Sequence, residues 1–192
     1  VGVHSKLKTT TILRMQLQPT RLHNHLVLLQ PLQPADFERL YAVASDPLIW
    51  AQHPNPDRYK REVFSTYFEG ALASGGAFLI EDAQTNAAIG SSRFYDYVSE
   101  SSEVKIGYTF FARSHWGGQY NPQVKALMLN HAFQFVDTVI FHVGASNMRS
   151  CKAMERLGAT NLGEENVAYF GEASKLNVVY AMYKNDWLTR QG

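Results

Sequence analysis

Cysteine is nearly absent from this chain of 192 residues: Cys151 stands alone, which excludes an intramolecular disulfide and any zinc site built on several thiolates. A reducing compartment is expected, with the cytoplasm as the default. An excess of one charge is also missing, because 18 Lys and Arg stand against 17 Asp and Glu for a net charge of +1. Nothing in that balance would gather nucleic acid or anionic lipid, so any anion site must be local. No apolar run approaches the roughly 20 residues that would span a bilayer. The histidines at 53, 115, 131 and 142 never fall at a spacing that puts two ligands on one helix face, so no catalytic metal is expected. Internal repeats and low-complexity linkers are lacking between Leu26 and Leu188, which argues against subdivision.

What is present suits a folded domain: hydrophobic residues make up 45% and charged residues 18%, a balance foreign to disordered and membrane chains. One domain over 26–192 is expected, with 1–25 set aside as an N-terminal extension or leader, within which Met15 is a natural start. The opening stretch is basic and Thr-rich and has neither the apolar core nor the cleavage site of a secretory signal. Oligomeric state stays open between monomer and homodimer.

Leu26–Leu32 is too short for a helix and reads as a strand. Pro34 opens a helix in which Phe37, Leu40, Tyr41 and Ala44 recur at helical spacing until Asp46-Pro47. The proline-rich stretch Asp46 to Asp57 predicts an irregular loop. A second helix runs from Tyr59 to Ala73 and is stopped by Gly75-Gly76. Strands follow at Ala77–Glu81, Ala88–Tyr95 and Glu103–Phe111, forming an antiparallel meander. Asn121 is a candidate cap for a third helix, with Pro122 at its first position and Val124, Leu127, Met128, His131, Ala132 and Phe135 along one face. A strand at Thr138–Val143 leads into a helix from Asn147 to Leu157 that Gly158 ends. The tail offers one further strand at Val178–Tyr183 and a packing Trp187. This order predicts an α+β fold with a mixed sheet covered by helices on its faces.

The chemistry concentrates in the strand that runs through Arg113-Ser-His-Trp116-Gly117-Gly118-Gln119-Tyr120-Asn121 into the third helix. Glycines allow left-handed backbone and close approach, and the first amides of a helix point at whatever sits in the turn. A phosphate is the natural guest, with Arg113 and Lys125 available for charge-assisted bonds. A plain strand-to-helix turn is the alternative, since Gly-Gly alone says little. The turn is neither a P-loop nor a Rossmann fingerprint.

Joined to a second motif, Asn147-Met-Arg-Ser150 with Gly158-Ala159 behind it, this turn resembles the GNAT acetyltransferases, the Rim-type N-terminal acetyltransferase branch above all. The match spans about Leu26 to Tyr183. The resemblance implies a mainly antiparallel central sheet with helices on both faces, and acetyl-CoA as the acyl donor. It places Phe110, Phe111, Arg113, Trp116, Gly117, Gly118, Gln119, Tyr120 and Asn121 at the coenzyme, with Asn147 and Ser150 along its pantetheine arm. The chain departs from the family where the turn's Gly-x-Gly/Ala ending becomes Gln119-Tyr120-Asn121, and where the usual tyrosine acid becomes Met154.

Acetyl transfer needs a neutral amine, donors for the oxyanion and an acid for the departing thiolate. By resemblance the oxyanion amide lies near Phe110 or Phe111. Ser150 is the candidate at the thiolate and Glu103 the candidate base; a self-bonded helix serine and an exposed strand-end carboxylate are their plain readings. Cys151 reads as a packing residue. Trp50, Tyr95 and Tyr169 are candidates for the acceptor pocket, together with Tyr59 and Tyr97, although each also suits the core or a rim. The acceptor is a primary amine attacked directly: a protein N-terminus, a polyamine, an amino acid or an aminoglycoside. A catalytically inactive acyl-CoA sensor on the same fold is the alternative, and a purely structural protein the third reading. No nucleic acid, membrane or metal partner is expected.

Overall fold

The computed structural model describes residues 15–169 and 171–191. Its strands are β1 (Leu22–His23), β2 (Val27–Pro31), β3 (Ala77–Asp82), β4 (Ala88–Val98), β5 (Glu103–Phe111), β6 (Thr138–Gly144), β7 (Thr160–Val167) and β8 (Lys175–Tyr183). The helices are α1 (Phe37–Ala44), α2 (Pro47–Trp50), α3 (Arg61–Ala73), α4 (Tyr120–Ala132), α5 (Met148–Leu157) and α6 (Lys184–Gln191). All strands join one sheet in the order β1-β2-β3-β4-β5-β6-β8-β7, antiparallel throughout except for the parallel pair β5–β6.

Side chains alternate across a strand, and here each face of the sheet carries its own core. Phe78, Ile80 and Phe111 face Val124, Met128, Cys151, Met154 and Trp187 of α4, α5 and α6. Their neighbours Ala77, Leu79 and Phe110 face Leu40, Trp50, Phe64, Tyr67 and Phe68 of α1, α2 and α3. The expected α+β class and the helices on both faces are observed.

Several differences have physical reasons. Residues 15–25, set aside in the sequence, belong to the domain: Met15 is buried, Gln16 accepts a bond from the His131 ring at 2.8 Å, and β1 extends the sheet. The leader expected over residues 1–14 lies outside the described residues. The Asp46–Asp57 loop contains the short α2, whose N-terminus Asp46 caps by accepting from the Leu48 amide at 3.0 Å. The third helix begins at Tyr120 with Gln119 before it, so Asn121 sits inside its first turn and is not the cap. β7 escaped the sequence because an edge strand exposed along nearly its whole length has no apolar alternation to read. α6 was missed because Trp187 is its one buried residue.

Candidate active site

β5 and β6 hold each other only at Glu103↔Thr138, Val104↔Val139 and Lys105↔Ile140. Beyond Lys105 they part, and Ile106–Phe111 and Phe141–Gly144 form the two arms of a fork. The cause lies in β5, where the β4 register shifts between Ser91 and Arg93 and Tyr108 takes φ +53°, a left-handed backbone that a bulky residue adopts only under constraint. A bulge of this kind bends its strand away from its neighbour.

At the open end of the fork, β5 runs through a short 3-10 turn at Arg113–His115 into α4. Gly117 carries φ +73°, the conformation its type was expected to supply. Among the described residues, the N–H groups of Gly117, Gly118, Tyr120 and Asn121 have no hydrogen-bond partner, as expected of a helix start that nothing caps. The helix dipole adds partial positive charge to that array. Gln119 is exposed. The Tyr120 hydroxyl donates to Asp82 at 2.7 Å and helps hold that carboxyl down at about 2. The Asn121 Oδ1 is buried and has no hydrogen-bond partner among the described residues. Arg113 is paired with Asp46, at the rim of an open recess of about 590 Å³ beside Ser114.

Lys125 does not reach this surface. It is buried with Val124, Met128 and Leu129 on the inner side of α4, donates to Thr109 at 2.7 Å and lies 5.7 Å from the Phe141 ring, so that it bridges the two arms of the fork from beneath. Burial without a counter-ion pushes its amine down to about 7.

The second motif closes the fork from the β6 side. Asn147 caps α5, its Oδ1 accepting from the Ser150 amide at 3.2 Å, and Gly158 ends that helix at φ +78°. The Ser150 hydroxyl is half-buried and makes no hydrogen bond among the described residues, unlike a helix serine bonded to its own backbone. A contact that the sequence did not reveal ties the motifs together: Arg149 stacks 3.7 Å from the centroid of Trp116, whose Nε1 donates to Phe111 at 3.0 Å. Cys151 is buried in the core beneath.

A cavity of about 410 Å³ is lined by Arg93, Tyr95, Asp96, Lys105, Tyr108, His142 and Tyr169. Tyr95 and Tyr169 therefore share one pocket. Trp50 does not line it; it is 2% exposed, donates to Ala44 at 2.7 Å and packs 4.9 Å from Phe110. Tyr59 and Tyr97 pack against the cores. Glu103 lies on the closed part of the β5–β6 pair, two positions before Lys105 along the strand. Sequence reasoning overlooked the functional promise of His142, whose Nε2 lies 3.0 Å from Glu165 of β7 and whose buried Nδ1 has no hydrogen-bond partner among the described residues. Burial and nearby Lys105 lower its pKa and favour the neutral ring. An Nε2–H that donates to Glu165 leaves the Nδ1 lone pair free. No local motif announced this, because β6 and β7, though consecutive strands of the chain, are brought together only through β8, which lies between them in the sheet.

A family profile described as an acetyltransferase (GNAT) domain matches residues 27–160. The chain belongs to the GNAT acetyltransferase family. No curated protein matches the sequence. Among solved structures, a T. thermophilus protein named as an acetyltransferase is 27% identical, with 89% of this chain and 93% of that one covered at a TM-score of 0.72. A GCN5-related N-acetyltransferase from Brucella melitensis is 16% identical, with 89% and 83% covered at 0.73. The microcin C7 self-immunity acetyltransferase MccE, solved with acetyl-CoA and AMP, is 13% identical, with 88% and 98% covered at 0.71. The GNAT family uses acetyl-CoA and acts on amine acceptors. Among the described residues no group of His, Cys, Asp and Glu is arranged to hold a metal ion, and no helix is long and apolar enough to cross a membrane.

Proposed function

We propose that this GNAT member is an acetyl-CoA-dependent N-acetyltransferase that works by direct attack of a primary amine on the thioester. The observation that carries the reading is the β5–β6 fork, which ends at the free amides of Gly117, Gly118, Tyr120 and Asn121 and has the tyrosine-lined cavity on the fork side of the sheet. Acetyl-CoA supplies an acetyl group activated as a thioester. The amides at the start of α4 would hold its diphosphate, with Arg113 at the rim. Asn147 and the Trp116–Arg149 stack would border the pantetheine arm, and a main-chain N–H near Phe110 or Phe111 would donate to the acyl oxygen. The presence of acetyl-CoA on the related MccE fold supports this placement. The Asn-x-x-Ser motif and the Met154 in place of the tyrosine acid support a likeness to the Rim-type branch in how the coenzyme and its thiolate are handled, and leave the acceptor open.

Ser150 would relay to the departing thiolate the proton that the attacking nitrogen sheds as the C–S bond breaks and the amide forms, since its hydroxyl is uncommitted among the described residues. His142 is the first candidate base: neutral, held by Glu165 and in the cavity wall, it would accept a proton at Nδ1 from the acceptor ammonium. Glu103, on the closed part of the strand pair, would act only through water. An amine panel assayed by release of free thiol tests the reading. Ser150→Ala and His142→Gln are each expected to lower kcat/KM by about 10²-fold. Glu103→Gln should have a smaller effect. In the wild type, log kcat/KM should rise with pH and level off below the ordinary histidine range, because only the neutral ring accepts a proton. If acetyl-CoA binds but no amine is acetylated, the acyl-CoA sensor is the correct reading.

A further inference from the structure

Arg93 lies in the middle of β4, directly opposite Gly107 and beside the bulge at Tyr108, where β5 begins to leave β6. It is 3% exposed. Its guanidinium lies 3.7 Å from the centroid of the Tyr108 ring and 5.1 Å from that of Tyr67, and it donates to the Tyr67 carbonyl at 3.3 Å. A guanidinium has five N–H donors in a planar fork, so most of this group's capacity is unused. No carboxylate pairs with it among the described residues.

The other cations around the cavity are matched. Lys105 is bonded to Asp96 at 3.0 Å, and Arg58, behind the same aromatic wall, is paired with Glu172. His142 faces Glu165 and is favoured in its neutral form. Once these pairs are set against each other, the charge left in the cavity wall is that of Arg93. A buried cation with only a carbonyl and ring faces around it is costly unless an anion completes its shell, and a planar guanidinium takes a carboxylate through two parallel bonds.

Resting on the N-acetyltransferase reading, we infer that Arg93 receives the carboxylate of the acceptor, which makes the acceptor a free amino acid or a comparably small carboxylated amine. In an α-amino acid one carbon separates the carboxylate from the amine, so an anchor beside the bulge holds the amine close to the opening of the fork. A protein N-terminus has its α-carboxyl tied up in a peptide bond and offers Arg93 no such group. The cavity, about 410 Å³, is of small-molecule size. Tyr95 and Tyr169 complete a wall suited to the acceptor's side chain.

Product binding tests this without requiring turnover. N-acetyl derivatives of the common amino acids are titrated calorimetrically into the full chain in parallel with their C-terminal amides. The best-bound acid is expected to bind at least about tenfold more tightly than its amide. Arg93→Met should bring that ratio to about one, and Arg93→Lys, which keeps the charge but loses the planar fork, should retain part of it. Equal binding of acid and amide to the wild type, no binding across the panel, or a preference that survives Arg93→Met overturns the inference. The parallel thiol-release assay separates the two levels. Acetylated amines without a carboxylate preference refute the acceptor class alone, whereas the preference without any acetylation refutes the enzyme reading alone.

Discussion

Lys125 shows how far a single residue can be read from sequence. Its place after the glycine turn made it a candidate for the diphosphate, but position 125 is four residues before the buried Leu129 and three before the buried Met128, and that spacing turns it inward. The hydrophobic pattern named the correct helix and a face rotated slightly from the real one. The consequence can be measured. The folded amine sits near 7 against an ordinary value of 10.5. Between those values the unfolded chain carries a proton that the native one lacks, so native stability rises with pH across the window, by at most roughly 1.4 kcal/mol per pH unit. Urea midpoints at pH 7, 8 and 9 should climb more steeply for the wild type than for Lys125→Met, which should also be the more stable protein at pH 7. Parallel pH profiles for the two proteins would contradict this.

At the scale of elements, structure was most legible where local chemistry and tertiary packing agree. The α5 unit was read correctly from Asn147 to Gly158 because a side-chain cap and a left-handed glycine mark its two ends. Asn147→Ala should cost about 1 kcal/mol in denaturant unfolding, and it should also weaken coenzyme binding if the residue borders the pantetheine arm. The turn before α4 was found through its glycines, which play unequal parts. Gly117 needs its positive φ, whereas a Cβ on either Gly117 or Gly118 would meet nothing within 4 Å. Gly117→Ala should therefore lose roughly 1 kcal/mol of stability, and Gly118→Ala should fold like the wild type. Thermal melts of the two variants distinguish them. The exposed β7 and the nearly all-polar α6 show the converse: their places come from pairing with β8 and from Trp187 donating to Asn130 at 2.7 Å, and neither has a local signature.

For the whole molecule, the sequence conveyed the class, the order of most elements and the two GNAT motifs, but it did not show how these meet. The fork depends on a register shift against β4, the Trp116–Arg149 stack joins residues from opposite arms, and the His142–Glu165 pair reaches across the intervening strand β8. Such relations exist only after the sheet has closed, so the cavity proposed for the acceptor was the least legible region: Tyr95 and Tyr169 share its lining, Trp50 lies in the core, and Arg93 had no local signal in the sequence. The account as a whole depends on the amides of Gly117 to Asn121 gripping a diphosphate. Calorimetric titration of the full chain with acetyl-CoA and with S-acetylpantetheine, which has the same thioester and no diphosphate, tests this most directly. Saturable one-to-one binding of acetyl-CoA, at least about tenfold tighter than S-acetylpantetheine, is the predicted result. Equal affinity for the two, or no binding of acetyl-CoA, would contradict it.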